Sequence, residues 1–188
     1  EIEPLMTSSS LQDGTRRVVG GFGRAVASAA RFAAPSNEED LVSLLAQAAQ
    51  AGLPVALRGA GRSYGDAAMN ATGLVLDLRA MDAVLDWNPE TGVMILQGGA
   101  TIESIWRLAL PDGWWPTVVP GTMFPTVAGC VAMNIHGKNH YRVGAFGDQI
   151  LELDLLTVNG EKLTCGPEEN ADVFDAVIGG LGVLGVVT

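Results

Sequence analysis

The residues best suited to bind a ligand lie in a glycine-rich loop, LRGAGRSYGDA, at residues 57–67. The apolar run at residues 54–57 predicts a buried strand that leads into this loop. Glycine lets successive main-chain N–H groups turn toward one point because it has no Cβ, and such a concavity binds an anion, most often a phosphate. The pattern predicts a phosphate-binding loop, and a tight turn without a ligand is the alternative. The candidate ligand-binding residues of the loop are Leu57, Arg58, Gly59, Ala60, Gly61, Arg62, Ser63, Tyr64, Gly65, Asp66 and Ala67.

The spacing of these glycines, G-x-G-x-x-x-G, departs from the dinucleotide fingerprint G-x-G-x-x-G. No amphipathic helix clearly follows Gly65, and no acidic residue ends a second strand at the expected distance. A Rossmann-type site is therefore not favoured. A nucleotide-binding domain without a redox role stays open as an alternative.

Two later segments carry further polar groups among small residues. Residues 120–129, PGTMFPTVAG, present hydroxyl groups on a rigid loop at the start of a predicted helix, where free N–H groups bind anions. A proline-rich connector is the alternative for this segment.

Residues 135–140, IHGKNH, place His136 where it could donate to a cofactor, and Lys138 where it could stabilise an anionic ring or substrate. A structural role of the histidines is the alternative. Two glycine-containing loops fit a large cofactor held at both ends.

Composition argues against several classes of function. The chain has 188 residues, 11 basic and 21 acidic side chains, a net charge of −10 and no basic stripe, so we expect no nucleic-acid partner. Two histidines and two cysteines without ligand spacing predict no metal site. No apolar run is long enough for a transmembrane segment, and no signal peptide is visible in residues 1–14, which are interpreted as a flexible tail. A cytoplasmic location is the expectation.

Periodicity and turn signals predict a mixture of helices and hairpins. The predicted helices are residues 38–51, 102–110, 126–134 and 170–177. The predicted strands are residues 54–57, 73–78, 84–87, 93–97, 151–158, 161–164 and 183–188. A type I′ turn is predicted at Asn159 and Gly160. Because a domain rarely ends within an apolar strand, we expect the protein to continue beyond Thr188.

Tryptophan and cysteine side chains are interpreted as core residues. The four tryptophans lie at positions 87, 106, 114 and 115. Their aromatic rings favour core packing over a substrate-binding face. Cys130 lies in an apolar stretch and is expected to pack as a small hydrophobic residue.

Seven motifs together resemble the vanillyl-alcohol-oxidase-like family of FAD-linked oxidases. They are TRRVVGGFGR (15–24), RGAGRSYGD (58–66), LPDG (110–113), VPGT (119–122), IHGKNH (135–140), GAFG (144–147) and DLLTVNGE (154–161). The resemblance covers residues 15–188, and IHGKNH is its most specific element. It implies an α+β fold, the PCMH-type FAD-binding domain, with two α+β subdomains near residues 15–80 and 81–188 that hold the cofactor between them.

The resemblance also implies which residues hold FAD. Besides the loop at residues 57–67, the implied cofactor-binding residues are Pro120, Gly121, Thr122, Thr126, Val127, Ala128, Gly129, Met133, Asn134, Ile135, His136 and Val187. Lys138 would lie near the flavin and the substrate. Many relatives tether FAD through a histidine in the first glycine loop, where this chain has Ser63 and Tyr64, so FAD is expected to be non-covalent.

Within that family the motifs are most similar to members that oxidise a polyprenylphosphoryl pentose to a keto sugar, the first half of an epimerisation in cell-wall arabinan biosynthesis. That activity implies a lipid-linked sugar substrate, a partner NAD(P)H-dependent keto-reductase and a membrane-peripheral or periplasmic location. An aldonolactone- or alditol-type oxidase of soluble sugars is the alternative. The family's substrate domain is absent from this chain, so an isolated flavin-binding module without turnover is also open.

Overall fold

A four-stranded sheet and one long helix organise the first part of the chain. The computed structural model describes Leu11 and residues 16–188, so the predicted tail at residues 1–14 lies, apart from Leu11, outside the described residues. The strands of this sheet are β1 (Arg16–Gly20), β2 (Ala27–Ala33), β3 (Val55–Arg58) and β4 (Leu74–Asp77). Their order is β1-β2-β4-β3, with β1 antiparallel to β2 and the other pairs parallel. The sequence predicted β3 and β4 but neither β1 nor β2.

Helix α1 (Glu38–Gln50) follows the predicted pattern closely. The Asn37 side chain caps it by accepting a hydrogen bond from the main-chain N–H of Asp40 at 2.8 Å. Three acidic residues occupy the first turn, where they interact favourably with the helix dipole. The apolar positions of the helix are all buried, and they are Leu41, Leu44, Leu45 and Ala48. Gly52 follows the helix in the left-handed conformation, with φ of +61°.

The chain divides into two compact units. The first contains the described residues up to Met81 together with Val158–Glu161, and the second contains Asp82–Thr157 and Lys162–Thr188. The family resemblance implied a boundary near residue 80 and did not assign residues 158–161 to the first part of the chain.

The second unit consists of two small sheets and several short helices. Its strands are β5 (Val84–Asn88), β6 (Val93–Leu96), β7 (Leu153–Leu156), β8 (Lys162–Cys165) and β9 (Val186–Val187). Its helices are α2 (Ile102–Ala109), α3 (Val127–Ala132), α4 (His140–Val143) and α5 (Ala171–Val177). Strands β5 and β6 form an antiparallel hairpin, and β8-β7-β9 is an antiparallel sheet. The side chains of Thr101 and Ser104 each accept a hydrogen bond from the other residue's main-chain N–H, which caps the start of α2.

An apolar core fixes the elements of the second unit. Its buried residues are Ile102, Val118, Cys130, Val131, Phe146, Leu153, Leu155, Cys165, Phe174 and Val177. Cys130 is fully buried, as predicted, and burial raises the pKa of its thiol to about 12. Because the thiolate is the nucleophilic form, Cys130 acts here as a packing residue.

Three local predictions were wrong. The β7–β8 loop is not a type I′ turn, because pairing ends at Leu156 and Lys162 and only Gly160, not Asn159, has a positive φ. The last strand is shorter than predicted, since only Val186–Val187 pairs with β7. None of the four tryptophans is a buried core residue: Trp87 and Trp106 are half-buried, Trp114 is 38% exposed and Trp115 is 56% exposed.

Candidate functional site

The glycine-rich loop packs against the segment that follows β1. The main-chain N–H of Phe22 donates to the carbonyl of Ser63 at 2.8 Å, and the rings of Phe22 and Tyr64 meet edge to face. A Cβ at Gly21 would collide with the carbonyl oxygen of Gly65. Glycine is therefore needed at position 21 so that the two backbones can approach. Residues 20–23 lie within the TRRVVGGFGR motif, but their contact with the glycine loop was not predicted from the sequence, although the GGFG run after a valine pair was a visible signal.

The Arg58 side chain holds the glycine loop through hydrogen bonds to main-chain carbonyl oxygens. Its guanidinium donates to the carbonyl oxygens of Gly20 at 3.1 Å and Ala68 at 3.3 Å. A Cβ at Gly61 would collide with the same guanidinium, and Gly61 also has a φ of +64°, so only glycine fits there. Burial lowers the pKa of Arg58 from its ordinary value, and nearby Asp77 opposes that shift. Within the described residues, Arg58 thus orders the loop through main-chain carbonyls.

The loop's own main-chain N–H groups are available to a ligand. Among the described residues, none of the amides of Gly59, Gly61 and Gly65 donates a hydrogen bond to a protein acceptor. A Cβ at Gly65 would meet nothing within 4 Å. Amides without a protein acceptor on a glycine loop, with open space at Gly65, suit a group with several anionic oxygens. The residues of this loop therefore fit a phosphate-bearing cofactor.

In the second unit, residues 98–101 hold the start of α3. The main-chain N–H of Val127 donates to the carbonyl of Ala100 at 2.7 Å, and that of Ala128 donates to Gly98 at 2.8 Å. Thr126, 2% exposed, forms an isolated bridge with Thr101. These contacts fix Thr126, Val127, Ala128 and Gly129 at the amino end of a short helix. Val187 lies next to them, because a Cβ at Gly98 would collide with the carbonyl oxygen of Val187.

The proline-rich loop before α3 leaves Pro120, Gly121 and Thr122 without regular structure, as predicted. Gly121 and Thr122 are exposed. A Cβ at Gly121 would meet nothing within 4 Å, so nothing in the fold explains a glycine at this position. Open space at such a glycine is consistent with close approach of a ligand.

After α3 the chain turns sharply at Asn134, which has a φ of +40°. Its side-chain oxygen accepts from the main-chain N–H of Gly147 at 2.9 Å, and the carbonyl of Ile135 accepts from Phe146 at 2.8 Å. Met133 beside this turn is 43% exposed. The turn therefore holds Met133, Asn134 and Ile135 in one fixed conformation, and Met133 presents an apolar side chain at the surface.

The IHGKNH segment is fixed at its centre, where Gly137 is buried against the carbonyl of Val119. The rings of His136 and His140 lie 5.0 Å apart, and each places Nδ1 near the Gly137 carbonyl, at 3.4 and 3.2 Å. Both histidines and Lys138 are exposed. No described residue forms an ion pair with Lys138, so its ammonium group can meet an anionic ligand.

Two features are absent from Leu11 and residues 16–188, the described part of the chain. No group of three or more histidine, cysteine, aspartate or glutamate side chains is arranged to hold a metal ion among them. None of the helices in the described part of the chain is long and apolar enough to cross a bilayer.

The chain is an α+β protein in which the glycine loop after β3 fits a phosphate-bearing cofactor. Residues 29–166 match the family described as FAD binding domain. The chain belongs to this family, and its cofactor is FAD.

Comparison with curated proteins agrees with this assignment. The chain is 37% identical over 186 residues to decaprenylphosphoryl-β-D-ribose oxidase of Mycolicibacterium smegmatis, an alignment that covers 97% of this chain and 40% of the oxidase. It is also 33% identical over 193 residues to cytokinin dehydrogenase 6 of Oryza sativa subsp. japonica, covering 94% of this chain and 36% of that enzyme. Cytokinin dehydrogenase 3 of Arabidopsis thaliana is 29% identical over 82% of this chain and 30% of its own length. The chain thus spans less than half the length of these relatives.

Proposed function

We propose that this chain is the FAD-binding part of an oxidoreductase that oxidises a carbinol of a polyprenylphosphoryl pentose to a ketone. The observation that supports this substrate is the 37% identity, across 97% of the chain, to the decaprenylphosphoryl-β-D-ribose oxidase. The keto sugar is the substrate that a partner NAD(P)H-dependent keto-reductase would need to complete an epimerisation. A lipid-linked substrate favours a location at or near a membrane surface.

Each group of site residues has a proposed task. FAD, when bound, supplies the chemistry that accepts two electrons. The amides of Gly59, Gly61 and Gly65 bind its pyrophosphate, and Arg58 keeps them in place. We propose that FAD also contacts the other cofactor-binding residues given above, from Pro120 to His136 and at Val187. Lys138 is proposed to stabilise negative charge on the reduced ring or on the substrate phosphate. His136 would donate a hydrogen bond nearby.

Anaerobic reduction of the flavin tests this function. The polypeptide that contains this chain with its substrate-binding part, reconstituted with FAD, is expected to lose its oxidised-flavin absorbance when a polyprenylphosphoryl ribose is added. Lys138→Met is expected to slow this bleaching by about tenfold or more, because one preorganised charge contributes that much. Bleaching by soluble alditols or aldonolactones alone would instead support the alternative oxidase, and bleaching by a cytokinin alone would assign the activity of the plant relatives.

We also propose that FAD is held without a covalent bond. The loop at residues 57–67 offers no histidine or cysteine, and the thiols of Cys130 and Cys165 are buried. The flavin is expected to separate completely from the chain in guanidinium chloride or acid and to pass through a filter that retains the protein. Flavin fluorescence that migrates with the denatured polypeptide on a gel would contradict this expectation.

A further inference from the structure

The β1–β2 hairpin has an unusual charge composition for this chain. Residues 16–33 contain four arginines and no acidic residue, although the whole chain carries a net charge of −10. The four are Arg16, Arg17, Arg24 and Arg31. We call the exposed side of this segment the basic hairpin, formed by Arg16, Val18, Phe22, Arg24, Val26 and Arg31.

The strand register places like charges next to each other. Arg16 lies directly opposite Arg31, and Val18 lies opposite Ala29, so these side chains share one face. All four are exposed. Like charges directly opposite each other across two strands are destabilising. Neither Arg16 nor Arg31 has an acidic partner among the described residues. The described residues therefore do not neutralise this face.

Apolar side chains are exposed on the same hairpin. Val18 is 78% exposed, Val26 is 48% exposed and Phe22 is 40% exposed. Between residues 16 and 81 the remaining exposed large apolar side chain, among the described residues, is Tyr64, which packs against Phe22. Between residues 16 and 81, the exposed large apolar side chains of the described residues thus lie on or against the hairpin that carries four arginines, and Val158 is a further exposed apolar residue of the first unit. Such a combination marks an interaction surface.

Arginines interleaved with exposed apolar side chains match the chemistry of an anionic lipid surface. Basic side chains are attracted by the negative surface potential, and apolar and aromatic groups insert among the headgroups. Arginine stems can lie along the bilayer surface with their charges in the headgroup region. A nucleic acid would match the charge but not Val18 and Val26.

We propose that the basic hairpin docks this protein on the surface of a membrane that contains anionic phospholipid. The inference stands on the charge and exposure of the hairpin alone. It is independent of the proposed sugar substrate, although a lipid-linked substrate would be reached from that position.

Vesicle sedimentation with the FAD-loaded chain tests the proposal. Vesicles of equal parts phosphatidylglycerol and phosphatidylcholine are expected to bind the protein, and a high-salt wash should release most of it because exposed charges are screened. The triple variant Arg16→Gln, Arg24→Gln, Arg31→Gln is expected to bind these vesicles at least about tenfold more weakly. Val18→Ser with Val26→Ser should remove most of the binding that survives high salt.

A matched control distinguishes the effect of the charges on the basic hairpin from the effect of the chain's net charge. The control variant carries three substitutions at exposed positions of α1, Ala46→Glu, Ala49→Glu and Gln50→Glu, and it changes the net charge by the same three units. Its vesicle binding is expected to stay within about twofold, because the new charges lie off the basic hairpin. FAD content and thermal stability are measured for every variant. Any of three results would overturn the proposal: equal binding to pure phosphatidylcholine vesicles, an equal loss of binding in the α1 control, or unchanged binding by the arginine variant. The FAD content of each variant still reports separately on the proposed function.

Discussion

Replacing Gly65 by aspartate is expected to weaken FAD binding by about a hundredfold or more while the FAD-free chain keeps its thermal stability. The fold tolerates a side chain at position 65, because a Cβ there would meet nothing within 4 Å. The same open space adjoins the amides proposed to bind the pyrophosphate. A carboxylate about 4 Å from a phosphate oxygen in a partly screened site costs about 4 kcal/mol. Each tenfold change in affinity corresponds to about 1.4 kcal/mol.

Three companion variants identify the cause. Gly65→Asn has nearly the same shape without the charge, so its loss of affinity measures the steric part alone. Gly65→Ala adds only a methyl group and should change affinity least. Gly61→Ala is expected to lower the thermal stability of the FAD-free chain as well, because position 61 has a φ of +64° and lies against the Arg58 guanidinium. Titration of FAD by flavin fluorescence, with thermal unfolding of the free chain, gives both readouts.

A specific pattern would contradict this assignment of Gly65. If Gly65→Asp and Gly65→Asn weakened FAD equally, charge repulsion by a nearby phosphate would not be the cause. If Gly65→Asp bound FAD like the unmodified chain, the loop would not hold the pyrophosphate. Either result leaves the family membership intact, because that rests on the match over residues 29–166.

Elements with a strong local signal were predictable from the sequence. Helix α1 has a capping residue, acidic residues in its first turn and apolar residues at helical spacing, and each of these features is visible in the sequence. The β5–β6 hairpin is marked by its turn at residues 88–92, and the glycine loop follows β3 directly. These elements form where local preference and tertiary packing agree.

Elements that depend on long-range pairing were not predictable. Strand β2 contains four alanines, which do not favour strands, and its conformation depends on pairing with β1 and β4. The role of Arg58 was also hidden: an arginine in a phosphate loop suggests contact with the phosphate, yet its partners are carbonyls 38 and 10 residues away. The left-handed turn at Asn134 likewise depends on Gly147, which is distant in sequence.

Gly98→Val is expected to destabilise the second unit by about 3 kcal/mol or more, the upper range for forcing a side chain into a packed interior. A Cβ at this position would collide with the carbonyl oxygen of Val187 and would lie 2.9 Å from the Cβ of Ala128. The first of these atoms belongs to the main chain and the second to a helix, so neither moves aside easily. The Ala128 amide also donates to the Gly98 carbonyl, which ties the two segments together.

Thermal unfolding of the FAD-free chain measures this effect. A loss of 3 kcal/mol corresponds to a midpoint lower by about 6–12 °C for a chain of this size. Gly121→Val is the matched control, because the same substitution there enters open space and should shift the midpoint by about 1 °C or less. Gly121 is a proposed contact of the cofactor, and Gly98 lies against two others, Ala128 and Val187, so the measurement is made without FAD. Equal midpoints for Gly98→Val and Gly121→Val would show that the segment around Gly98 can separate from Val187 at little cost, and that α3 is not held by this contact.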